Sequence, residues 1–212
     1  NQSCIFPRFQ RILLLIYRLF LQMTMPCCKV SQTMESKNKK ILLVGTSGGI
    51  GRKTAEILLE EGHSVVGTYL SSKKDVEGLC KNANFTSSQL DVRDITAIQQ
   101  LQGQLLAERE SLFAVINCSG IVKYENLGLL QDLEIWNETI ATNLSSNYYL
   151  AKIFYPNISE NGNFIMISST DSYFGGAITA SYAASKAGIN SLTKSLSLLF
   201  QEKKIRVNSV AP

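Results

Sequence analysis

One histidine in 212 residues leaves little room for metal chemistry. That residue, His63, falls between an expected helix and an expected strand, where it reads as a solvated turn residue rather than a ligand or a base. The five cysteines, Cys4, Cys27, Cys28, Cys80 and Cys118, form no C-x-x-C set with a second pair or with histidines at ligand spacing. No metal site is therefore expected, and an odd number of thiols points to a reducing compartment. No apolar run reaches the roughly 20 residues that a bilayer span needs, since the stretch from Ile12 to Leu21 is broken by Arg18. There is also no repeat of fixed period and no low-complexity block.

Acidic residues are missing from the first 34 positions, which hold Arg8, Arg11, Arg18 and Lys29. This segment accounts for the formal charge of +4, and the rest of the chain carries no dense Lys/Arg stripe interleaved with aromatics. Nucleic acid is accordingly not an expected partner. Three readings fit residues 1–33: an organelle-targeting presequence, a membrane-surface helix, or sequence translated upstream of a true start at Met34. The third is favoured, which makes 34–212 the catalytic domain and its location cytoplasmic, with organelle targeting as the alternative. The Cys27-Cys28 pair is too little to argue for acylation.

What is present describes an ordinary globular chain: 45% hydrophobic, 18% charged, mean hydropathy +0.04. Ile41-Leu42-Leu43-Val44 is a continuous apolar run ending at a glycine, as expected of a strand buried on both faces of a parallel sheet. Helical spacing follows through Ile50, Ala55, Leu58 and Leu59 and stops near Gly62. Further strands are expected at Ser64 to Tyr69, Phe85 to Asp91, Leu112 to Ile116, Asn163 to Ile167 and from Ile205. Helices are expected from Ile95 to Leu106, from Leu133 to about Phe154, and from Ser181 to about Phe200. Strict alternation of this kind predicts an α/β fold, a three-layer doubly wound parallel sheet. The strand from Ile205 runs into Pro212 with nothing after it, so a last strand and a substrate loop are expected to be missing.

Gly45-Thr46-Ser47-Gly48-Gly49-Ile50-Gly51 joins the first strand to the first helix. Glycines there let the backbone approach a pyrophosphate, and the helix start offers it unpaired N–H groups. Gly45, Gly49 and Gly51 fit one spacing, G-x-x-x-G-x-G; Gly45, Gly48 and Gly51 fit another, G-x-x-G-x-x-G. The first resembles the classical short-chain dehydrogenases and reductases, with Val44 where that family has threonine. The second resembles the extended branch that modifies sugar nucleotides. Asn117-Cys118-Ser119-Gly120 after the fourth strand resembles the Asn-Asn-Ala-Gly signature of the classical branch and selects it.

Tyr182 and Lys186 stand four residues apart, on one face of a helix. A phenol with an ordinary pKa of about 10 is a poor base at neutral pH, and a nearby cation favours its phenolate. Alone the pair is a chance-level pattern. It gains weight because Ser168-Ser169 ends the preceding strand, with Ser169 thirteen residues before Tyr182, and because Asn143 lies within Thr142-Asn143-Leu144 in the helix before it. All of these match the classical family, and the resemblance runs from Lys40 to Pro212.

The resemblance implies a Rossmann fold and an NAD(P)(H)-dependent oxidoreductase interconverting a carbonyl and a secondary alcohol. Tyr182 would be its general acid and base, Ser169 the group that polarises the carbonyl oxygen, and Lys186 the cation that binds the nicotinamide ribose. Asn143 would hold a water leading to solvent, and Ser168 would support its neighbour. Gly45, Ser47, Gly49, Ile50, Gly51, Tyr69, Ser71, Asp91, Val92, Asn117, Ser119 and Gly120 would bind the cofactor together with Tyr182 and Lys186. Asp91 would contact adenine, with helix capping as its alternative role.

Thr68-Tyr69-Leu70-Ser71-Ser72-Lys73-Lys74 holds no carboxylate to accept from ribose hydroxyls, and hydroxyls and two lysines lie just beyond, so NADP(H) is expected over NAD(H). The family's usual phosphate-binding arginines are replaced by Gly48 and Leu70. Among substrates, the overall look is most similar to 3-oxoacyl-carrier-protein reductases, which implies a small carbonyl or alcohol, acyl-carrier-bound in that case. A homodimer or homotetramer through the helices flanking the serine strand is implied as well. The competing class is a dinucleotide-sensing module of the same fold without turnover.

Overall fold

The computed structural model describes residues 38–107, 111–126 and 132–212. The expectations for residues 1–33, including the Cys27-Cys28 pair, lie outside these. Among the described residues no helix is long and apolar enough to cross a membrane.

The apolar runs form strands because each is buried on both faces. In β1 (Lys40–Val44), Ile41 and Leu43 point into one layer while Leu42 and Val44 point into the other, and all four are fully buried. β2 (Ser64–Tyr69), β3 (Phe85–Gln89), β4 (Leu112–Asn117), β5 (Ile158–Ile167) and β6 (Arg206–Val210) complete a six-stranded sheet in the order β3-β2-β1-β4-β5-β6. Every pairing is parallel.

Helices α1 (Gly49–Glu60), α2 (Ile95–Ala107), α3 (Asp132–Ile140), α4 (Ser146–Phe154), α5 (Asp171–Phe174) and α6 (Ala180–Leu199) cover the sheet. Ile98 and Leu101 of α2, Leu150 and Phe154 of α4, and Ile189 and Leu196 of α6 pack on Leu42, Val115, Phe164 and Met166. Ala55, Leu58 and Leu59 of α1 pack on Ile41, Leu43, Val65 and Ile116 from the opposite side. Each such aliphatic side chain removed from water contributes roughly 1.5–3 kcal/mol. This is the expected doubly wound α/β architecture.

Four expectations need correction. β3 stops at Gln89 rather than Asp91: Leu90 still donates its N–H to the Tyr69 carbonyl at 2.9 Å, but Asp91 then takes the Arg93 N–H on its own side chain and turns the chain away. β5 starts at Ile158, five residues before Asn163, with its pairing to β4 shifted between Leu112 and Ala114. The long helix expected from Leu133 to about Phe154 is not continuous, because a wide π turn at Ala141–Ser145 separates α3 from α4. His63 is not solvated: it is 2% exposed, and its Nδ1 accepts the Lys39 N–H at 3.3 Å. Burial first, and the Lys39 charge second, hold its pKa below the ordinary value, so it is a neutral buried link between α1 and β1.

Candidate active site

The strand order reverses between β1 and β4, since the chain first builds outward to β3 and then returns across β1. Ligands of open parallel sheets bind outside the carboxyl ends of the strands at such a reversal. A crevice of about 550 Å³ lies there, walled by Gly45, Ser47, Gly48, Gly49 and Ile50 after β1, by Thr68, Tyr69 and Leu70 at β2, by Asp91, Val92 and Arg93 after β3, and by Cys118, Ser119 and Gly120 after β4.

The glycine loop is held from below by threonines that the glycine pattern does not announce. Thr46 is fully buried, and its N–H and hydroxyl both donate to the Thr68 carbonyl, at 2.8 and 2.9 Å. Gly45 donates its N–H to the Thr68 hydroxyl at 3.2 Å. These bonds tie the start of the loop to the end of β2. Gly45 has φ +84°, and a Cβ on it would lie 2.9 Å from the Ser119 nitrogen. A Cβ on Gly51 would meet the Gly45 carbonyl oxygen at 2.0 Å. Gly51 thus lets α1 pass under the loop and does not itself line the crevice.

The loop fits a dinucleotide's phosphates on three counts. Nothing lies within 4 Å of a Cβ built on Gly48 or Gly49, so the approach is open. Gly48 caps α1 without a side-chain acceptor, which leaves the first-turn N–H groups for a ligand. No acidic residue stands in that first turn to oppose an anion.

Asn117 is 1% exposed and stands behind the crevice wall. Its side-chain oxygen accepts the N–H and hydroxyl of Ser119 at 3.0 and 2.6 Å, while its amide donates to Asn147 at 2.9 Å. It shapes the Ser119-Gly120 wall from inside. Ser71 is exposed beyond the wall residues. Asp91 is not a helix cap: both its oxygens are occupied by the Arg93 guanidinium, which holds its pKa below the usual carboxylate range, and α2 is capped by Asp94, which accepts from Thr96 and Ala97. Arg93 also reaches Glu138, to which Lys123 is paired.

Of the four expected catalytic side chains, Asn143 and Lys186, from different elements, meet at Gly120. A Cβ on Gly120 would lie 3.4 Å from Asn143 Oδ1 and 3.5 Å from Lys186 Nζ. Asn143 is fully buried in the π turn, where its amide donates to the Ile121 carbonyl at 2.8 Å and to the Ser185 hydroxyl at 3.1 Å. Its Oδ1 accepts the Ile121 N–H at 2.8 Å. The widened turn faces this side chain toward α6, where it meets Ser185, and such π bulges are frequent at functional sites.

Tyr182 and Lys186 lie on α6, with Lys186 Nζ 5.3 Å from the centre of the Tyr182 ring. Lys186 is 4% exposed, and its ammonium donates to the Ile167 carbonyl at 2.7 Å, two residues before Ser169. Burial lowers its pKa to about 8. Cys118, also in the wall, is pushed up to about 12 by burial. Burial is the larger cause for both groups, and their mutual attraction offsets it only in part. Cys118 is consequently no nucleophile. Ser169 Oγ accepts the Asp171 N–H at 3.2 Å, which leaves its own O–H free to donate outward.

Pattern reading missed Glu125. Its carboxylate accepts the Ser181 N–H at 2.8 Å and also the Ser181 hydroxyl, capping α6 from a loop 56 residues earlier, while its N–H donates to the Ile178 carbonyl. Thr179, at the N-cap position, makes no side-chain cap bond although threonine is a favoured cap, so the sequence carries no signal that a distant acceptor is used.

A model of the short chain dehydrogenase family matches residues 39–212. The chain is 35% identical over 183 residues to the 3-oxoacyl-[acyl-carrier-protein] reductase of Salmonella typhimurium, covering 84% of this chain and 74% of that one. It is 31% identical over 181 residues to the same-named protein of Staphylococcus aureus, covering 82% and 73%. Among solved structures, a double variant of a Serratia marcescens short-chain dehydrogenase/reductase superposes with TM-score 0.76 at 27% identity, covering 83% of this chain and 74% of its own. The ligand-free aldohexose dehydrogenase of Thermoplasma acidophilum gives 0.74 at 26% identity, covering 83% and 66%. Sheet order, crevice and matches agree: this chain belongs to the short-chain dehydrogenase family and is an NAD(P)-dependent oxidoreductase acting on CH–OH groups.

Proposed function

We propose that this enzyme reduces a ketone with NADPH, with a 3-oxoacyl thioester on an acyl carrier as the first substrate to consider. The observation that carries the chemistry is the convergence of Asn143, Lys186 and Gly120 beside the Tyr182 ring. The substrate class rests on likeness to the 3-oxoacyl-[acyl-carrier-protein] reductases, and the preference for NADPH on the carboxylate-free end of β2, where Leu70 is 54% exposed and Lys73 and Lys74 follow.

The bound dinucleotide supplies the hydride. Gly48 and Gly49 with the start of α1 would hold its pyrophosphate and Asp91 and Val92 would flank the adenine, while Ser119 and Gly120 wall the middle of the crevice. Gly51 and Asn117 support these contacts from behind. Ser169 donates a hydrogen bond to the substrate oxygen and polarises the carbonyl. Tyr182 gives its phenolic proton to that oxygen as the carbon becomes tetrahedral, and takes a proton back in the oxidative direction. Lys186, charged below about pH 8, favours the phenolate that remains and offers its free donors to the ribose hydroxyls. Asn143 fixes the loop at Ile121 against the helix at Ser185, keeping Lys186 facing its partners.

A homo-oligomer fits the same reading. Tyr148 on α4 and Leu198 and Leu199 on α6 are exposed on the two helices that would form the subunit contact. The testing experiment is oxidation of NADPH and of NADH by the purified chain with a 3-oxoacyl thioester and with simple ketones. Turnover confined to NADH, or simple ketones reduced while the thioester is not, contradicts the respective part of the proposal.

A further inference from the structure

Tyr182, Lys186 and Asn190 follow one another at four-residue steps down a single face of α6. The first two belong to the site described above. The third is held in a chain of hydrogen bonds that ends at the backbone of the catalytic serine.

Ser168 is 1% exposed and donates its hydroxyl to Asn190 Oδ1 at 2.7 Å. Asn190 Nδ2 donates to the Ser172 hydroxyl at 2.8 Å, and that hydroxyl donates to the Ser169 carbonyl at 2.6 Å. Every donor in this series points the same way, from Ser168 through Asn190 and Ser172 to Ser169, which fixes the orientation of the Asn190 amide. The residue before Ser169 and the carbonyl of Ser169 itself are therefore tied to one side chain on the catalytic helix. Two further bonds link the same elements: Ser168 Oγ approaches the Lys186 carbonyl at 3.2 Å, and Lys186 Nζ donates to Ile167.

We propose that Asn190 is a positioning residue: through Ser168 and Ser172 it sets the turn after β5 so that the Ser169 hydroxyl stays opposite Tyr182. The physical need is plain. Ser169 follows the end of β5 and Tyr182 lies in the first turn of α6, and the intervening segment includes the exposed Tyr173, Phe174 and Ile178, which cannot hold the turn by burial. Catalytic hydrogen bonds lose strength steeply with misalignment, so two groups on different elements need a fixed bridge. Asn190 suits this because an amide donates and accepts at once.

This inference rests on the catalytic reading of Ser169 and is tested in a way that separates the two. Asn190→Leu and the milder Ser172→Ala are each combined with Ser169→Ala in a double-mutant cycle. Each single change is expected to lower kcat about tenfold while the Kd for NADPH, read by its fluorescence, stays unchanged. In the Ser169→Ala background the same changes are expected to lower kcat no further. Where Ser169→Ala itself lowers kcat, losses that multiply, or an unchanged kcat in Ser172→Ala, overturn the proposal. Amide hydrogen exchange across 169–173 supplies a readout independent of turnover, expected to quicken in both variants while α6 stays protected. Unchanged exchange overturns the positioning role whatever Ser169 does, whereas faster exchange with an inert Ser169 sinks only the catalytic reading.

Discussion

Lys186 Nζ lies 5.3 Å from the centre of the Tyr182 ring and is hydrogen-bonded to the Ile167 carbonyl, so one buried ammonium ties the phenol's helix to the last residue of β5, two positions before Ser169. A charge in that position is a burden on folding. Burial lowers its pKa from 10.5 to about 8, whereas the unfolded chain keeps the ordinary value. Between these two pH values the unfolded state holds a proton that the folded state does not, so the contribution of Lys186 to stability rises with pH there; below pH 8 it is a constant penalty of about 3 kcal/mol.

Lys186→Met removes that penalty at neutral pH and leaves the Ile167 carbonyl without its donor, which costs about 1 kcal/mol. The variant is expected to be more stable than the parent by about 1–2 kcal/mol at pH 7 and to lose turnover. Thermal unfolding at pH 7 and pH 9.5 checks this, with the gap expected to narrow at the higher pH. In the parent, kcat/KM for reduction is expected to fall above about pH 8 as the cation is lost.

Two glycines of the loop answer differently to one methyl group. Gly51→Ala puts a Cβ 2.0 Å from the Gly45 oxygen and is expected to destabilise by about 2–3 kcal/mol and abolish dinucleotide binding. Gly48→Ala meets nothing within 4 Å and sits on extended backbone, so its unfolding curve is expected to overlay the parent's. Urea denaturation of both, with NADPH titration, is the measurement.

That loop shows how far a sequence can be read. The alternation of apolar runs and helical spacing located all six strands, because a doubly covered parallel sheet buries its inner strands on both faces, although the edge strand β3 has only Phe85 buried. Tyr182, Lys186, Ser169 and Asn143 stood out because their spacing is local or fixed by the family likeness. Thr46, Thr68, Glu125 and Asn190 did not, since each acts through a partner distant in the chain, and a lone threonine or asparagine carries no spacing to recognise. His63 misled for a related reason: a turn between helix and strand is commonly wet, and its burial depends on Lys39 and the packing above it.

Glu125 gives α6 its only side-chain acceptor at Ser181, among the described residues. Glu125→Ala is expected to destabilise the protein by about 1–2 kcal/mol, and Glu125→Gln, which keeps an acceptor oxygen, by under half of that. Equal losses in the two variants, measured by chemical denaturation, would show that charge rather than capping matters.

Cofactor choice is expected to turn on the end of β2. Leu70→Asp places a carboxylate where Leu70 lines the crevice, and is expected to shift the ratio of kcat/KM for NADPH over NADH by at least about tenfold toward NADH. Gly48→Arg, at a position with open space around it, is expected to move the same ratio toward NADPH. Steady-state kinetics with both reductants decides each.

The central claim is that Tyr182 carries the proton. Turnover of NADPH with a ketone should be measured for Tyr182→Phe beside the parent, together with NADPH binding by fluorescence. The account predicts binding within about twofold of the parent and a loss of kcat of at least about a thousandfold. A Tyr182→Phe enzyme that binds NADPH and turns over at the parent's rate would contradict it.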